Sequence, residues 1–191
     1  MKNFVIPSLD KPNLKNPEIL SNYLNQSLEA FSDITGVPVT FFAADNRIIS
    51  QFNSNNKICS MFQVYLQSDS SCRKNLTSAG QFSSRLGEPY IFLCKAGLTN
   101  IATPLIFAGY FIAGPIVMGE LRSSTAKKFS AMNTLSDVSL KMAEMFAEKM
   151  HVFLPNQVSE LALLLHNSIL IAVAGNHDYN TLRVQNEKQN Q

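Results

Sequence analysis

Three strand-like segments follow one another between residues 90 and 118, with only short turns between them. Residues 90–95, 100–107 and 110–118 are rich in β-branched and aromatic side chains, which favour strands. Ala108-Gly109 marks a tight hairpin turn between the second and the third segment. Connections this short join antiparallel neighbours, because a parallel crossover needs roughly a dozen residues or more. The segment therefore predicts part of an antiparallel sheet.

Further elements are predicted on the N-terminal side of these strands. Asn16 and Pro17 form the start of a helix, with an N-cap residue followed by proline in the first turn, and Gly36 ends it. Residues 37–43 and 48–52 have the composition of two strands joined by a turn. Residues 57–86 lack strand alternation and are predicted as two short helices.

These elements together predict an α+β fold. It has a five-stranded antiparallel sheet with helices inserted between strands 2 and 3, and C-terminal helices over residues 123–150 and from residue 157. This is a PAS-like plan, in which the sheet and the inserted helices can enclose a small pocket. Pro115 cannot donate a hydrogen bond within a sheet, so the last strand either bulges there or lies at an edge.

The composition limits the functions open to the chain. Its 191 residues are 46% apolar and 16% charged, which fits a folded chain of one or two domains. A net charge of +2 gives no electrostatic case for nucleic-acid binding. The N-terminus lacks a secretory pattern, and the apolar stretch 161–175 is too short for a bilayer span. With an odd count of three cysteines, we expect a reduced, cytoplasmic protein without membrane contact.

Cys59, Cys72 and Cys94 are the first candidates for chemistry. Their spacing is unlike that of zinc sites, and a fourth ligand would have to come from the histidines near the C-terminus. No cysteine or carboxylate has a neighbour that indicates catalysis, and the glycines match no phosphate-binding loop. We therefore expect no enzyme activity and no cofactor. Two interpretations of the thiols stay open: buried small side chains, or a metal, haem or redox sensor.

A set of motifs carries a family resemblance. It comprises Phe31, Thr35-Gly36-Val37-Pro38-Val39, the three cysteines, the string YIFLCKAGL at residues 90–98, ATPLI at 102–106, Gly109, Gly114 and Gly119-Glu120. Over about residues 18–155 the chain resembles the PocR sensory domain, a PAS-like variant found in AraC-type transcription regulators and some sensor kinases. The resemblance implies a sensor of small hydrocarbon derivatives, with propanediol as the prototype. It also implies that DNA is bound only through a separate domain. Lys95 and Glu120 depart from the family pattern, which has His and Gln at these positions.

The candidate site follows from strand and helix periodicity together with the resemblance. Alternation places Tyr90, Phe92 and Cys94 on one face of their strand, and Lys95 on the other face favours the first as the inward one. In the first strand, alternation alone does not decide whether Phe41 or Phe42 faces inward. The candidate ligand-binding residues are Phe41, Cys59, Phe62, Cys72, Tyr90, Phe92, Cys94 and Glu120; ordinary core packing is the competing interpretation for each aromatic residue.

The last predicted helix is apolar on almost every side over residues 158–174. Such a helix must be buried on more than one side, so we expect a homodimer with this helix in the interface. The competing interpretations are a helix packed wholly on its own sheet and a dimerisation module without a ligand. The predicted division is an N-terminal arm (1–15), the sensory domain (16–155), and a C-terminal helix with a linker tail (156–191). That tail would lead toward an output domain outside this chain.

Overall fold

The computed structural model describes residues 17–53, 59, 69–94, 97–105, 109–118 and 151–189. The elements in chain order are α1 (Pro17–Thr35), β1 (Val39–Ala43), β2 (Ile48–Phe52), α2 (Asp69–Leu86), β3 (Tyr90–Leu93), β4 (Thr99–Leu105), β5 (Gly109–Met118), β6 (Val152–Phe153) and α3 (Pro155–Gln189). The predicted arm, the helices over 123–150 and nearly all of the first inserted helix lie outside the described residues. Cys59 is described and is helical.

The strands form one sheet in the order β2-β1-β5-β4-β3, with every neighbouring pair antiparallel. Helix α2 lies between β2 and β3 in the chain, as predicted for the inserted helices. The α+β class and the PAS-like plan are therefore confirmed. Strand β6 was not predicted: its two residues pair in parallel with the end of β5. A strand this short has no recognisable periodicity of its own, so only its partner defines it.

Pro115 lies within β5, which is a central strand, and the sheet bulges there. Thr99 pairs with Ile116 while Ile101 pairs with Ala113, so Gly114 and Pro115 together oppose one residue of β4. On its other side, β5 pairs with β1 only as far as Ala113. The proline therefore stands where no ladder hydrogen bond is required of its nitrogen, and the bulge alternative is the correct one.

Apolar residues pack on both faces of the sheet. On one face, α1 and α3 cover a core that includes Val39, Phe111 and Ile116. On the opposite face, α2 covers a smaller cluster that includes Phe42, Phe92 and Tyr110. Alternation along β1 and β5 sends neighbouring side chains to opposite faces, which explains why one sheet supplies two cores. The molecule is thus layered as helices, sheet and helix.

Helix α3 begins two residues earlier than predicted. Gln157 Oε1 accepts a hydrogen bond from the Leu154 amide at 2.8 Å, and Pro155 takes the first helical position, where its missing N–H costs nothing. The helix then runs to Gln189, through most of the segment predicted as a linker tail. The division of the chain into domains stays a prediction.

The expectation that the apolar stretch is too short for a bilayer span is wrong. Pro155–Ala174 is a 20-residue helix segment with a mean hydropathy of 1.5, enough to cross a membrane by length and composition alone. One face of this segment, with Leu165 and Ile169 at its centre, is buried against α1 and the sheet. Only 33% of the segment is buried in this way, and the rest of it is not covered by the described residues.

His166 joins α3 to the sheet. Its Nδ1 lies 3.0 Å from the hydroxyl oxygen of Thr103, a fully buried residue of β4. Burial lowers the pKa of His166, and the negative charge of Glu88 acts in the opposite direction. His166 is one of the histidines near the C-terminus from which a fourth metal ligand would have to come, and it lies in a helix–sheet contact.

Candidate functional site

A groove lies beside the edge strand β3, between that strand and α2. Its volume is about 670 Å³, within the range of roughly 300–1,000 Å³ usual for small-molecule sites. We call it the α2–β3 groove, and the described residues that line it are Asn75, Ser78, Ala79, Phe82, Tyr90, Ile91, Phe92, Leu93, Thr99 and Met118. This described part of the lining contains no charged side chain.

Three aromatic rings form one wall of the groove. Phe82 and Tyr90 meet edge to face with 4.7 Å between ring centroids, and Tyr90 and Phe92 are stacked at 5.9 Å. Phe92 is buried and Tyr90 is half-buried, whereas Ile91 and Leu93 are exposed. The predicted inward face of this strand is therefore confirmed. The rings offer an apolar surface that a short hydrocarbon chain can cover.

Two residues that line the groove each carry a fully buried side-chain oxygen without a hydrogen-bond partner in the described part of the chain. These oxygens are Asn75 Oδ1 on α2 and Thr99 Oγ1 at the start of β4. A buried side-chain oxygen without a partner is uncommon in folded proteins, where the large majority of such atoms are satisfied. A third such atom, Ser50 Oγ on β2, does not line the groove.

Cys59 is close enough to Cys94 and Cys72 to interact with them electrostatically. Burial raises the pKa of Cys59 to about 12, and electrostatic repulsion from Cys94 and Cys72 adds to this effect. Cys72 precedes the groove residue Asn75 by one helical turn, and Cys94 directly follows Leu93. None of the three is in a disulfide bond. In the described ranges, no three His, Cys, Asp or Glu side chains are arranged to hold a metal ion.

Tyr110 anchors α2 farther along the same face of the sheet. Its hydroxyl donates to Asn46 Oδ1 at 2.8 Å, and its ring stacks on Phe42 with 5.3 Å between centroids. Burial raises the pKa of Tyr110, while a hydrogen bond with Thr77 and the charge of Arg73 act in the opposite direction. These contacts fix the helix that forms one side of the groove.

The structure brings together part of the predicted site. Tyr90 and Phe92 line the groove, and Cys59 lies close to Cys72 and Cys94. Phe41 lies on the opposite face of the sheet, where it stacks on Phe111 with 4.5 Å between ring centroids. Phe62 and Glu120 lie outside the described residues. As ligand contacts, all eight candidates stay predictions.

Asn75, Phe82 and Thr99 line the groove but were not predicted from the sequence. Helical spacing from Cys72 could have found Asn75, three residues later, because residues at that spacing share a face. Thr99 follows a turn closed by two hydrogen bonds, from the Gly97 amide to the Cys94 carbonyl and from the Cys94 amide to the Leu98 carbonyl, each 2.8 Å long. That turn brings β4 back alongside β3. No sequence signal shows that the Thr99 hydroxyl lacks a partner.

Comparison with known proteins agrees with this architecture. The family described as "Sensory domain found in PocR" matches residues 19–174. The chain is also 28% identical over 104 residues to the Regulatory protein PocR of Salmonella typhimurium (strain LT2), covering 54% of this chain and 34% of that protein. It thus spans about a third of the length of that curated relative. No solved structure matches significantly. Because the family match covers most of the chain, this protein belongs to the family of PocR sensory domains.

Proposed function

We propose that the chain senses a small, neutral hydrocarbon derivative, such as a short alcohol or diol, which binds in the α2–β3 groove. The observation that carries this proposal is an aromatic-walled groove whose described lining has no charged side chain. A charged ligand would lose its hydration there without gaining a counter-charge, whereas an alkyl chain can cover the rings of Tyr90 and Phe92. The family is one of sensory domains rather than of enzymes, which agrees with a binding role.

Thermal melting against a panel of short alcohols and diols tests this proposal. A ligand at 100 times its dissociation constant stabilises the folded state by about 2.7 kcal/mol. For a domain of this size, that corresponds to a rise of roughly 5–10 °C in the melting midpoint. If no member of the panel raises the midpoint, the small-molecule proposal is wrong.

A pair of variants identifies the groove as the binding place. Phe82→Ala removes a ring that packs on Tyr90 at the rim of the groove, so we expect it to weaken ligand binding. Tyr23→Ala removes an aromatic ring that is also about half exposed, but on α1, on the other face of the sheet. We expect Tyr23→Ala to leave the ligand affinity unchanged. Equal losses in the two variants would contradict binding in the groove.

We further propose that ligand binding signals through α3. Strand β4 reaches both regions, because Thr99 lines the groove and Thr103 contacts His166 on α3. A ligand can shift a conformational equilibrium only if it binds the two states unequally. Hydrogen exchange of α3 amides with and without ligand measures such a shift. Unchanged exchange at saturating ligand would refute signalling through this helix.

A homodimer is proposed through the side of α3 that faces away from the core. Leu163, Leu164, Leu170 and Ile171 form this outer α3 face, and each is at least 38% exposed. Two pairs of these residues are separated by seven positions, the repeat by which helices of two identical chains pair along one seam. A second copy would cover in each chain the apolar surface that the other leaves exposed.

Light scattering of the protein at micromolar concentration tests the dimer. We expect a dimeric mass for the unmodified chain and a monomeric mass for Leu164→Asp. Ile34→Asp, at an exposed apolar position of α1, is the matched control and should stay dimeric. A strictly monomeric unmodified chain would refute the dimer.

The alternative function is a metal, haem or redox sensor based on Cys59, Cys72 and Cys94. The proximity of Cys59 to the other two supports it. The high pKa of Cys59 opposes it, because metal binding and oxidation both require the thiolate. Elemental analysis and an absorption spectrum of the purified protein distinguish the two functions. We also propose a cytoplasmic location, and DNA binding only through a domain outside this chain.

A further inference from the structure

Asn167 lies at the centre of the outer α3 face. The residue is exposed, and it is three or four positions away from each of the four apolar residues of that face, which are Leu163, Leu164, Leu170 and Ile171. Residues at these spacings are neighbours on the surface of a helix. A polar amide group therefore stands in the middle of an apolar surface.

Asn167 is also directed away from the buried side of the helix. At about 100° per residue, it is rotated by about 160° from Leu165 and from Ile169, which pack in the core. Leu163 and Leu170 flank it on one side, and Leu164 and Ile171 flank it on the other. A partner that covers both pairs must therefore also cover the amide.

The spacing along this face is that of a coiled-coil seam. Leu163, Asn167, Leu170 and Ala174 follow one another at intervals of four, three and four residues, and all four are exposed within one chain. Alternating intervals of three and four residues define the a and d positions along which two helices pair, and they assign Asn167 to an a position.

The amide restricts what can cover this face. It carries both a donor nitrogen and an acceptor oxygen, and a lipid surface or a wholly apolar partner would leave both without hydrogen bonds, at a cost in free energy. In a parallel pair of identical helices, a two-fold axis brings the same residue of both copies to one level. Each Asn167 amide can then donate to the oxygen of the other. In an antiparallel pair, an a position lies level with d positions, where this seam has leucine.

We propose that Asn167 pairs with the same residue of a second copy in a parallel pair of α3 helices, and that this contact fixes the register and the direction of the dimer. This inference rests on the proposed homodimer and deepens it. A single polar residue at an a position specifies register in coiled coils at a cost in stability, which explains an asparagine among leucines.

Asn167→Asp tests the pairing. Aspartate has nearly the same shape, but two facing carboxylates repel each other, and neither can donate a hydrogen bond. Like charges opposed in an interface cost several kcal/mol, so the dissociation constant of the dimer at about pH 7 should rise at least about 10-fold in analytical ultracentrifugation. Asn25→Asp, at an exposed position of α1, is the matched control and should leave this constant unchanged.

Ala174→Cys tests the direction. In a parallel pair the two introduced thiols lie at the same level, so mild oxidation should join the copies by a disulfide bond. In an antiparallel pair centred on Asn167, they would lie about 21 Å apart along the helices, too far for a disulfide. The unmodified chain, with three cysteines of its own, is the control and should give no covalent dimer. Adding Asn167→Leu should strengthen the dimer and lower the disulfide yield, because apolar contacts alone do not select one register.

The outcomes separate the two proposals. If the unmodified chain is monomeric, both the homodimer and this inference are wrong. If Leu164→Asp dissociates the dimer and Asn167→Asp does not, the dimer through α3 stands and the pairing of Asn167 is refuted. A dimeric Ala174→Cys variant that forms no disulfide refutes the parallel direction. A disulfide yield that Asn167→Leu leaves unchanged refutes the role of Asn167 in fixing the register.

Discussion

Replacing Gly80 with alanine tests how closely α2 packs on the sheet. At an exposed helical position, this change stabilises a protein by about 1 kcal/mol, because alanine is the better helix former. In this structure, a Cβ atom at residue 80 would overlap the ring of Tyr110. We therefore expect the opposite sign.

The size of the effect follows from how firmly Tyr110 is held. Its side chain is almost fully buried, its hydroxyl is bonded to Asn46, and its ring stacks on Phe42. The ring has little room to move aside, so the cost should lie near the upper end of the roughly 1–3 kcal/mol typical of overpacked cores. After subtraction of the helix preference, we expect a net loss of about 2 kcal/mol.

Thermal and urea unfolding measure this loss. For a chain of this length, a loss of about 2 kcal/mol lowers the melting midpoint by roughly 4–8 °C. Ser84→Ala, at an exposed position of the same helix, is the control and should change stability by less than about 0.5 kcal/mol. If Gly80→Ala raises the midpoint, α2 does not pack on Tyr110 as described.

Three further predictions concern other parts of the chain. Leu165→Ala should lower the free energy of unfolding by about 2–5 kcal/mol, because this side chain is fully buried. Leu164→Ala, at an exposed position, should lower it by less than about 1 kcal/mol within one chain. Similar losses of the two variants in urea unfolding would contradict this assignment of the buried and exposed faces of α3. Burial lowers the pKa of His166 in the folded protein, so folding favours the neutral imidazole. The contribution of this residue to the free energy of unfolding is therefore complete above about pH 6.5 and is lost as the pH falls through the folded pKa. The melting midpoint should therefore fall less in His166→Gln than in the unmodified protein between about pH 7.5 and pH 5.5, and equal falls would disprove this role. With a pKa of about 12, Cys59 should react far more slowly with iodoacetamide at about pH 8 in the folded protein than after unfolding, as mass spectrometry can show; equal rates would contradict its burial.

Local signals in the sequence were sufficient for much of the sheet. The turn between β1 and β2 is an example: Asn46 adopts a φ of 66°, a conformation that asparagine tolerates better than most residues. The predicted second strand accordingly matches β2, and α1 begins at Pro17 and ends before Gly36 as expected. These features depend on residues that are neighbours in the chain, so their sequence alone determines them.

Features that depend on distant residues could not be predicted in this way. Phe41 and Phe42 follow one another in β1, and only their contacts with Phe111 and Tyr110 decide which face each ring takes. The same holds for β6, which exists only through its pairing with β5. In the groove, the unpartnered state of Asn75 and Thr99 depends on what all surrounding elements leave open, which no local pattern records.

Strand β5 pairs first with β1 and then with β6, and β6 leads directly into α3. Up to Ala113 the strand is bonded to β1, and from Val117 it is bonded to β6, which leads through Leu154 directly into the helix. The 35 residues of α3 extend over about 52 Å at 1.5 Å per residue. A tilt of about 5° at its first residue displaces the end of a rigid rod of that length by about 4–5 Å. If ligand binding tilts the helix by that amount, the far end of α3 would therefore move by nearly the height of a helical turn.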